Sequence, residues 1–542
     1  MKNDKHLFKA HLKKLKEELS LEFYHNKNIS VLTQKLVSGI DQILLGLFQS
    51  QQLDKKHICL LALGSYGRRE LQPHSDIDLL FIHDNAIPKI QLQYTQQFIQ
   101  DCWDIGLNIS HQITTIDACA ELANQDVSVI SSILDMRLIC GRSDLKELLA
   151  YQTHALHMWT SHEYFLAKQV EQTLRYEKYG ETAYNLEPNV KFGAGGLRDI
   201  QILFHIGKRH FGIKKLAEGI NYGFITAKEY EELLFCQHFL WRIRFALHVL
   251  TQKKEDRLLF DYQVKLASIF GYEDNAQSLA IEQFMKMYFK MIKRSRELNE
   301  MLLQWFRETI VHQQKQKLHA LDESLQLSND YIEVKHPKVF KYRPHTLLSI
   351  FLWIAECPEI AGVRASTIRL IREHLYLIDK HFRDSSLIKS IFIDIFKTQH
   401  NPYEALQRMS RYGVLGYYLD SFAMATGQMQ YDLFHVYTVD QHTLFVIRNL
   451  GRFLTPEFKK QFPLCCELMP NIKKREILYL AALFHDIGKG RGGDHCEIGA
   501  IEAKQFAINH GLSQKAQQLL TWLVHNHLLM SLTAQRKDIY DP

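Results

Sequence analysis

A chain of 542 residues is too long for a single hydrophobic core, and its length predicts three or more domains. The composition is 46% hydrophobic and 23% charged, which is ordinary for a globular protein, and a net charge of +6 is too small to argue for nucleic-acid binding. The nine cysteines show no C-x-x-C spacing, which is typical of reduced cytosolic thiols. With no run of 18 apolar residues and no apolar N-terminal leader, the sequence predicts a cytoplasmic protein without a membrane span.

The predicted elements begin with two helices over residues 5–50, where apolar residues recur at helical spacing. A mixed α/β part follows, with strands over 58–63, 77–82 and 107–115 and a helix over 65–71. Residues 155–310 are predicted to be helical, and the polar run 313–333 is predicted to be a linker. Residues 340–344 are predicted to be an extended entry into a second helical part.

The most distinctive stretch of the sequence covers residues 64–78. Side chains alternate between the two faces of a strand, so Asp76 and Asp78 point the same way while Ile77 and Leu79 enter the core. Two carboxylates on one face can hold Mg²⁺ ions, which prefer oxygen ligands. A pair of such ions activates an attacking oxygen and steadies a departing pyrophosphate, so the pattern predicts catalysis on a triphosphate.

Residues ahead of this strand have the properties of phosphate-binding groups. Gly64 allows the backbone to approach a phosphate closely, and Ser65 opens the predicted helix, where its amide and hydroxyl can face an anion. Arg68, or alternatively Arg69, would neutralise phosphate charge. Such a site usually takes a third carboxylate from a neighbouring strand, and the sequence leaves it open. The candidates are Asp104, Asp117, Asp126 and Asp135.

A glycine-rich segment, K-x-G-x-G-G-L-R-D-I, occupies residues 191–200. Its glycines, Gly195 and Gly196 among them, precede a helix and predict an amide-rich loop that can cradle an anion. Lys191 and Arg198 flank the loop and could reach a nucleotide phosphate. On the residues alone, an ordinary helix N-terminus with Asp199 favouring the helix dipole is an equally good interpretation.

A cluster of metal-binding residue types lies in the last hundred or so residues: His442, His485, Asp486, His495 and His527. Neutral imidazoles and carboxylates together bind a divalent cation, which lowers the pKa of bound water and so permits attack on a phosphodiester. Lys489 would stabilise the negative charge that develops. His525 is the weakest candidate and is predicted to be a surface residue.

These motifs together resemble known enzymes. Residues 64–78 resemble the DNA-polymerase-β-type nucleotidyltransferase superfamily, and the His-Asp cluster resembles the HD phosphohydrolase superfamily. The longer string G-S-Y-G-R-R-E-L through H-S-D-I-D, with residues 191–200, L-W-R-I-R and D-R-L, is similar to the bifunctional uridylyltransferase/uridylyl-removing enzymes of the PII nitrogen-signalling protein. This resemblance implies transfer of UMP from UTP to a tyrosine of PII, and hydrolytic removal, in control of nitrogen assimilation.

The resemblance also implies a fold and cofactors. The fold would be mainly α, with one α/β domain of the polymerase-β type, a helical middle region and an all-α HD domain. Mg²⁺ would serve the transferase site, and Mg²⁺ or Mn²⁺ the HD site. The implied domains are N-terminal helices (1–50), a nucleotidyltransferase domain (51–145), an associated helical region (146–320), a second helical region (321–435) and an incomplete HD domain (436–542).

The end of the sequence affects what the resemblance implies for the HD site. Its closing aspartate would come from a helix beyond the last residue, and Asp538 is the nearest substitute. Two C-terminal ACT domains that sense glutamine would follow, so the natural protein is expected to continue.

Two other functions remain open on the sequence. A tRNA CCA-adding nucleotidyltransferase with an HD domain shares both site types, but it would need a basic RNA-binding face and has no place for the segment 191–200. A non-catalytic nucleotide-binding regulator stays possible because the third carboxylate is not found. The choice of UTP over other nucleotides depends on the resemblance alone.

Overall fold

The structure, a computed structural model, describes residues 2–25, 27–83, 87–179, 186–276, 278–311, 317–429 and 437–536. The chain divides into two compact units, which are described separately. Unit 1 comprises residues 1–183, 187–269 and 294–311, and unit 2 comprises 184–186, 270–293 and 312–542. The described residues are mainly helical, with one four-stranded sheet in each unit, which confirms the predicted fold class.

Unit 1 is built on the strands β1 (Ile58–Ala62), β2 (Ile77–His83), β3 (Ile109–Thr114) and β4 (Arg137–Gly141). Their order in the sheet is β3-β2-β1-β4, with β1 antiparallel to β2 and β4, and β2 parallel to β3. The helices are α1 (Lys2–Tyr24), α2 (Ile29–Ser50), α3 (Gly64–Gly67), α4 (Lys89–Asp104), α5 (Ile116–Gln125), α6 (Val127–Leu134), α7 (Ser143–Gln152), α8 (Ser161–Tyr179), α9 (Leu197–Phe211), α10 (Ala227–Thr251) and α11 (Phe260–Ile269). The long helix α12 (Ala280–Ile310) contributes residues to both units.

The predicted strands of this sheet are confirmed, and one strand was missed. All five residues of β1 are buried, as expected for an apolar run in the centre of a sheet. The missed strand, β4, lies at the edge of the sheet, and Cys140 is its one buried residue. An edge strand with so little burial lacks the hydrophobic alternation by which strands are recognised in a sequence.

A buried polar contact joins three elements next to the Gly-Ser turn. Asp41 of α2 accepts two hydrogen bonds of 2.9 Å from the guanidinium of Arg137 on β4. The same carboxylate accepts a hydrogen bond of 2.5 Å from the hydroxyl of Tyr66, a fully buried residue of α3. Bidentate pairing of this kind fixes direction as well as distance, so α2 and β4 hold α3 against the sheet.

Among the described helices, α2 alone is long and apolar enough to cross a membrane by length and composition. Half of its residues are nevertheless buried inside unit 1, including Leu32, Leu36, Ile43 and Leu47. Core helices of globular units pass the same test, so this helix is weak evidence for a membrane span.

Unit 2 contains a small sheet of β5 (Leu318–Ala320), β6 (Leu325–Ser328), β7 (Tyr331–Val334) and β8 (Gly362–Val363), paired in that order. Its helices are α13 (Val339–Tyr342), α14 (Thr346–Glu356), α15 (Ala365–Glu373), α16 (Lys380–Asp384), α17 (Ser386–Lys397), α18 (Tyr403–Arg411), α19 (Val414–Tyr418), α20 (Asp420–Ala425), α21 (Val439–Arg452), α22 (Pro463–Leu468), α23 (Arg475–Phe484), α24 (His495–Asn509), α25 (Gln514–His525) and α26 (Leu529–Arg536).

Two local predictions for unit 2 were wrong. The described part of the predicted linker 313–333 forms β5, β6 and most of β7, and the predicted extended segment 340–344 includes the end of the one-turn helix α13. The strands escaped notice because few of their side chains, such as Leu325 and Ile332, are buried. Polar side chains cover the rest of this small sheet and give its sequence the composition of a linker.

The close contacts around α3 predict that a methyl group added at Gly67 would destabilise the protein. A Cβ atom on Gly67 would lie 2.2 Å from the carbonyl oxygen of Asp135. This oxygen belongs to the backbone and cannot turn aside as a flexible side chain could, so Gly67→Ala is expected to lower the free energy of unfolding by about 1–3 kcal/mol. The measurement is chemical denaturation of the full chain.

The matched control for this substitution is Gly416→Ala in α19. A Cβ atom there would meet its nearest neighbour, the Cβ of Ala423, at 3.5 Å, which is an ordinary contact. No loss of stability is expected for the control. Equal stability of both variants would contradict the close packing around α3.

Candidate active sites

A cavity of about 240 Å³ in unit 1 contains most of the residues predicted for the first site. Its predicted members are Gly64, Ser65, Arg68, Asp76, Asp78, Lys191 and Arg198. The sheet supplies the carboxylates, α3 supplies the turn, and the cations come from the segment before α9 and from the first turn of α9. The structure thus brings together three motifs that are up to about 130 residues apart in the sequence.

The two aspartates follow the strand geometry of β2. Ile77 and Leu79 are buried in the core, and Asp76 and Asp78 both line the cavity. A Cβ atom on Gly64 would lie 2.8 Å from Oδ2 of Asp78, and Gly64 also has a φ of +52°. Glycine is required here both for its backbone conformation and for the close approach of the carboxylate.

The negative charge of Asp76 and Asp78 is only partly compensated by neighbouring cations. Burial, followed by the negative charge of Asp76, raises the pKa of Asp78 above its usual value, against the opposing charges of nearby cations. Asp76 accepts a hydrogen bond of 2.5 Å from Asn108 and forms an ion pair with Lys254. Two neighbouring oxygen donors, one with a raised pKa, form a donor set that suits a hard divalent cation.

Lys191 and Arg198 differ from the other basic residues of the cavity, because those residues form ion pairs with carboxylates. Among the described residues, neither Lys191 nor Arg198 forms an ion pair, and both are partly buried. Burial, followed by the charges of Arg244 and Arg198, lowers the pKa of Lys191 to about 7. Cations held together without carboxylate partners favour an anionic ligand such as a polyphosphate.

Among the described residues, the neighbouring strand β3 does not supply the third carboxylate. Asp78 pairs in register with Ser110 of β3, and that strand carries no acidic residue. Of the four candidates, Asp135 alone lines the cavity, in an ion pair with Arg68 and 2.9 Å from Nε2 of His205. Although burial alone would raise the pKa of Asp135, Arg68 and His205 hold it well below its usual value.

The other three candidates for the third carboxylate have structural partners. Asp104 pairs with Lys5, Asp117 accepts a hydrogen bond from Gln152, and Asp126 caps α6. None of the three lines the cavity that holds Asp76 and Asp78.

Two details of the predicted phosphate site differ from expectation. The predicted helix 65–71 is a single turn, α3, so its dipole is short and Ser65 would act through its own hydroxyl and amide. Arg68 lines the cavity, but Glu70 at 2.9 Å and Asp135 already compensate its charge.

The glycine loop has a different role from the predicted anion cradle. The amide of Gly195 donates to Asp199, and the amide of Gly196 donates to the carbonyl of Gly193. The same Asp199 carboxylate accepts bonds of 2.6 Å from Arg175 and from the hydroxyl of Tyr176. Because these amides are used internally, the glycines shape the loop that carries the cations and do not themselves face an anion.

The second predicted site is centred on Asp486 in unit 2. Four imidazole Nε2 atoms surround its carboxylate: His485 at 3.2 Å, His442 and His527 at 3.6 Å each, and His495 at 3.7 Å. The ammonium of Lys489 lies 2.9 Å from the same carboxylate. Burial alone would raise the pKa of Asp486, but the neighbouring imidazoles of His485 and His527 and the charge of Lys489 hold it far below its usual value.

Backbone contacts set the tautomers of two of these imidazoles. Nδ1 of His485 donates to the carbonyl of Ala482 at 2.8 Å, and Nδ1 of His527 donates to that of Val524 at 2.7 Å. Their Nε2 lone pairs are therefore directed into the cluster, and Nε2 of His527 is buried without a hydrogen-bond partner among the described residues. Such an orphaned nitrogen fits a metal ligand, and a nitrogen-rich donor set suits a transition metal.

One further residue extends this cluster, and the candidate His525 lies at the surface. Cys496 was not predicted, and its sulfur is 3.6 Å from Nε2 of His495, with which it could share a cation. His525 is exposed at the end of α25, as the sequence predicted. Asp538 lies outside the described residues.

Sequence reasoning also missed residues of the first cavity. Lys254, Arg244, Trp241, Lys168 and Arg175 line it, although none was predicted as a site residue. The strings L-W-R-I-R and D-R-L were recognised as family signatures and run close to three of these residues, but they carry no spacing rule that would predict a role.

Comparison with known proteins identifies segments that correspond to these sites. Residues 10–105 match a nucleotidyltransferase family, DUF294, and residues 163–303 match GlnD PII-uridylyltransferase. Residues 325–418 match the uridylyltransferase GlnD third domain, and residues 439–541 match the HD domain.

Several curated relatives are similar over almost the whole chain. A bifunctional uridylyltransferase/uridylyl-removing enzyme of Legionella pneumophila (strain Corby) is 64% identical over 543 aligned positions, which cover 100% of this chain and 63% of the relative. The similarity to this relative therefore extends along the whole of this chain. Enzymes of the same name from Pseudomonas aeruginosa and Nitrosococcus oceani are 44% and 45% identical over 99% of the chain. The chain spans about 60% of the length of those two relatives.

The lowered pKa of Lys191 predicts proton uptake on nucleotide binding. A bound phosphate would raise the pKa from about 7, so at pH 8 the complex should take up nearly one proton. Affinity should therefore be highest below pH 7 and fall as the pH rises from 7 towards the pKa of the complex. Calorimetric titration of UTP at pH 8, in buffers of different ionisation enthalpy, measures this uptake.

Lys191→Arg is the control for proton uptake, because a guanidinium stays charged throughout this range. The variant should bind nucleotide with much less proton uptake and with a flatter pH profile. Uptake equal to that of the unmodified chain would show that Lys191 is not the titrating group.

The donor set around Asp486 predicts metal-dependent stability. In an Asp76→Asn, Asp78→Asn background, Mn²⁺ should stabilise the chain more than Mg²⁺, since imidazole ligands favour transition metals. At a hundred times its dissociation constant the gain would be about 2.7 kcal/mol. Thermal denaturation measures it, and adding His485→Ala should remove most of the difference between the ions. Equal stabilisation by both ions would contradict a nitrogen-rich site.

Proposed function

We propose that the chain transfers UMP from UTP to a tyrosine hydroxyl of a PII signalling protein at the first site and hydrolyses the UMP–tyrosyl bond at the second. Mg²⁺ is the proposed cation of the first site, and Mg²⁺ or Mn²⁺ that of the second. UTP and PII point to the cytoplasm as the compartment. The names of the relatives support the choice of substrate, and the two sites support the two reactions.

One observation carries the transferase half of the proposal. Lys191 and Arg198 have no ion-pair partner among the described residues, and they share a cavity with Asp76 and Asp78. The two carboxylates favour binding of a cation, and the two basic residues favour binding of an anion. A nucleoside triphosphate bound with a divalent cation supplies both charges at once.

In the transfer reaction, the acceptor hydroxyl gives up its proton to water and its oxygen forms a bond to the α-phosphorus, while the bond from that phosphorus to the pyrophosphate oxygen breaks and pyrophosphate leaves. Lys191 and Arg198 would hold the negative charge of the triphosphate, and Ser65 would contact it from the turn. Asp76 and Asp78 would hold Mg²⁺, which when bound supplies positive charge to the acceptor and leaving oxygens. The bound nucleotide and acceptor would have to exclude water, which would otherwise compete as the acceptor.

In the removal reaction, a water oxygen bonds to the phosphorus and the tyrosyl oxygen departs with a proton. His442, His485, Asp486, His495 and His527 are the proposed ligands of the divalent cation. When bound, this cation supplies Lewis acidity and lowers the pKa of water. Lys489, held beside Asp486, would stabilise negative charge on the phosphate oxygens.

The proposal is tested with labelled nucleotides and two acceptors. UTP, CTP and ATP, each labelled at the α-phosphate, are incubated with the chain and either PII or tRNA. Label from UTP alone should appear on PII. Label on tRNA from CTP and ATP, with none on PII, would favour a CCA-adding enzyme, and binding without any transfer would favour a regulator.

Reciprocal variants assign each reaction to its site. Asp76→Asn with Asp78→Asn should reduce transfer more than about a hundredfold and spare removal, because it deletes the cation-binding charge of the first site alone. His485→Ala with Asp486→Asn should do the reverse. Each pair is the control for the other, and transfer that persists in the first variant would refute the assignment.

A further inference from the structure

A lysine that no motif predicted contacts the first site. Lys254 lies between α10 and α11, and its ammonium forms an ion pair with Oδ2 of Asp76. The other oxygen, Oδ1, accepts the hydrogen bond from Asn108. Both oxygens of a carboxylate proposed to hold Mg²⁺ are therefore engaged, one of them by an organic cation.

The backbone around Lys254 is firmly tied to the segment that carries Lys191. Asp256 is buried in an ion pair with Arg244, and its carbonyl accepts a hydrogen bond of 2.8 Å from the amide of Val190. The amide of Leu258 donates to the carbonyl of Pro188 at 2.9 Å. These contacts place both lysines in the same cavity.

The side chain of Lys254 is less constrained than its backbone. It remains 41% exposed, and the Asp76 side chain is 35% exposed. An ion pair with this exposure is worth about 0.2–1 kcal/mol, so it can exchange partners easily. A divalent cation and the ammonium would compete for the same carboxylate oxygen.

Once a cation takes Asp76, Lys254 loses its one ion pair among the described residues. The cavity then presents three basic side chains to a ligand: Lys254, Lys191 and Arg198. Arg244 is a fourth cation in the wall, but it is compensated by Asp256. Repulsion among the three favours a polyanion beside them.

We propose that Lys254 pairs with Asp76 when no divalent cation is bound, and binds a phosphate of the nucleotide once a cation has taken Asp76. This inference rests on the proposed function for its ligand, a nucleoside triphosphate. Without a divalent cation, the ammonium of Lys254 occupies the place of the cation beside Asp76. With the cation bound, Lys254 contacts a phosphate of the nucleotide. The two states couple binding of the cation to binding of the nucleotide, since each ligand favours the arrangement that the other needs.

Opposite effects on two affinities test this exchange. In a His485→Ala, Asp486→Asn, His527→Ala background, which removes ligands from both candidate metal groups of the second site, Mn²⁺ is titrated without nucleotide and followed by electron paramagnetic resonance. Lys254→Met should bind Mn²⁺ about twofold to fivefold more tightly than the background chain, because the competing ammonium is gone. The neighbouring Lys253→Met is the control and should change nothing, since Lys253 pairs with Glu255 at 3.6 Å.

The second affinity is that of UTP in the presence of saturating Mn²⁺, measured by calorimetry. Lys254→Met should weaken it at least about threefold through loss of a charged hydrogen bond. Lys254→Arg should restore most of the UTP affinity, because a guanidinium also binds phosphate. Unchanged or weaker Mn²⁺ binding by Lys254→Met, or unchanged UTP binding, would overturn the exchange. Lys254→Gln repeats both measurements if the methionine variant is unstable.

This test separates failure of the exchange from failure of the proposed function. Neither titration contains an acceptor protein, so the Mn²⁺ result does not depend on transfer to PII. A chain that never labels PII but shows both shifts would lose the proposed acceptor and keep the exchange. A chain that labels PII but shows neither shift would keep the function and lose the exchange.

Discussion

A carboxylate can be buried only where positive charge compensates it, and the two candidate sites meet this constraint in opposite ways. Asp78 lies beside another carboxylate, and burial raises its pKa. Asp486 lies among imidazoles and next to Lys489, and its pKa is far below the usual value. The first site therefore requires an added cation to complete its charge, whereas the second is already poised in its ionised form. Each site's chemistry depends on this difference in electrostatic environment.

The two candidate sites also differ in the atoms that they offer to a metal ion. The first site offers carboxylate oxygens, and the second offers imidazole nitrogens with one central carboxylate. Oxygen donors suit Mg²⁺, which travels with nucleoside triphosphates, while nitrogen donors suit ions that make water reactive near neutral pH. Separate sites for the proposed transfer and hydrolysis would let one exclude water and the other admit it.

Patterns within single strands and helices predicted much of this arrangement, but they could not predict contacts between residues that are far apart in the sequence. The alternation of β2 predicted that Asp76 and Asp78 share a face, and the recurrence of histidines near the end of the sequence predicted the second site. Lys254 pairs with a residue 178 positions away, and no periodicity in a sequence encodes such a contact. The glycine loop misled the prediction because its amides bond within the loop, and the small sheet was hidden by its polar surface. Propensity and spacing describe single elements, while charge compensation is a property of the folded cavity.

The short bridge between Asn189 and Arg257 joins two loops that would otherwise move independently. The backbone segments that carry Lys191 and Lys254 are therefore held together before a ligand binds. The conformational entropy of these segments is lost when the protein folds, and not when the ligand binds. Only side-chain rotation then remains for capture of the ligand. Association should consequently be governed by diffusion and charge attraction, with little contribution from closing a loop.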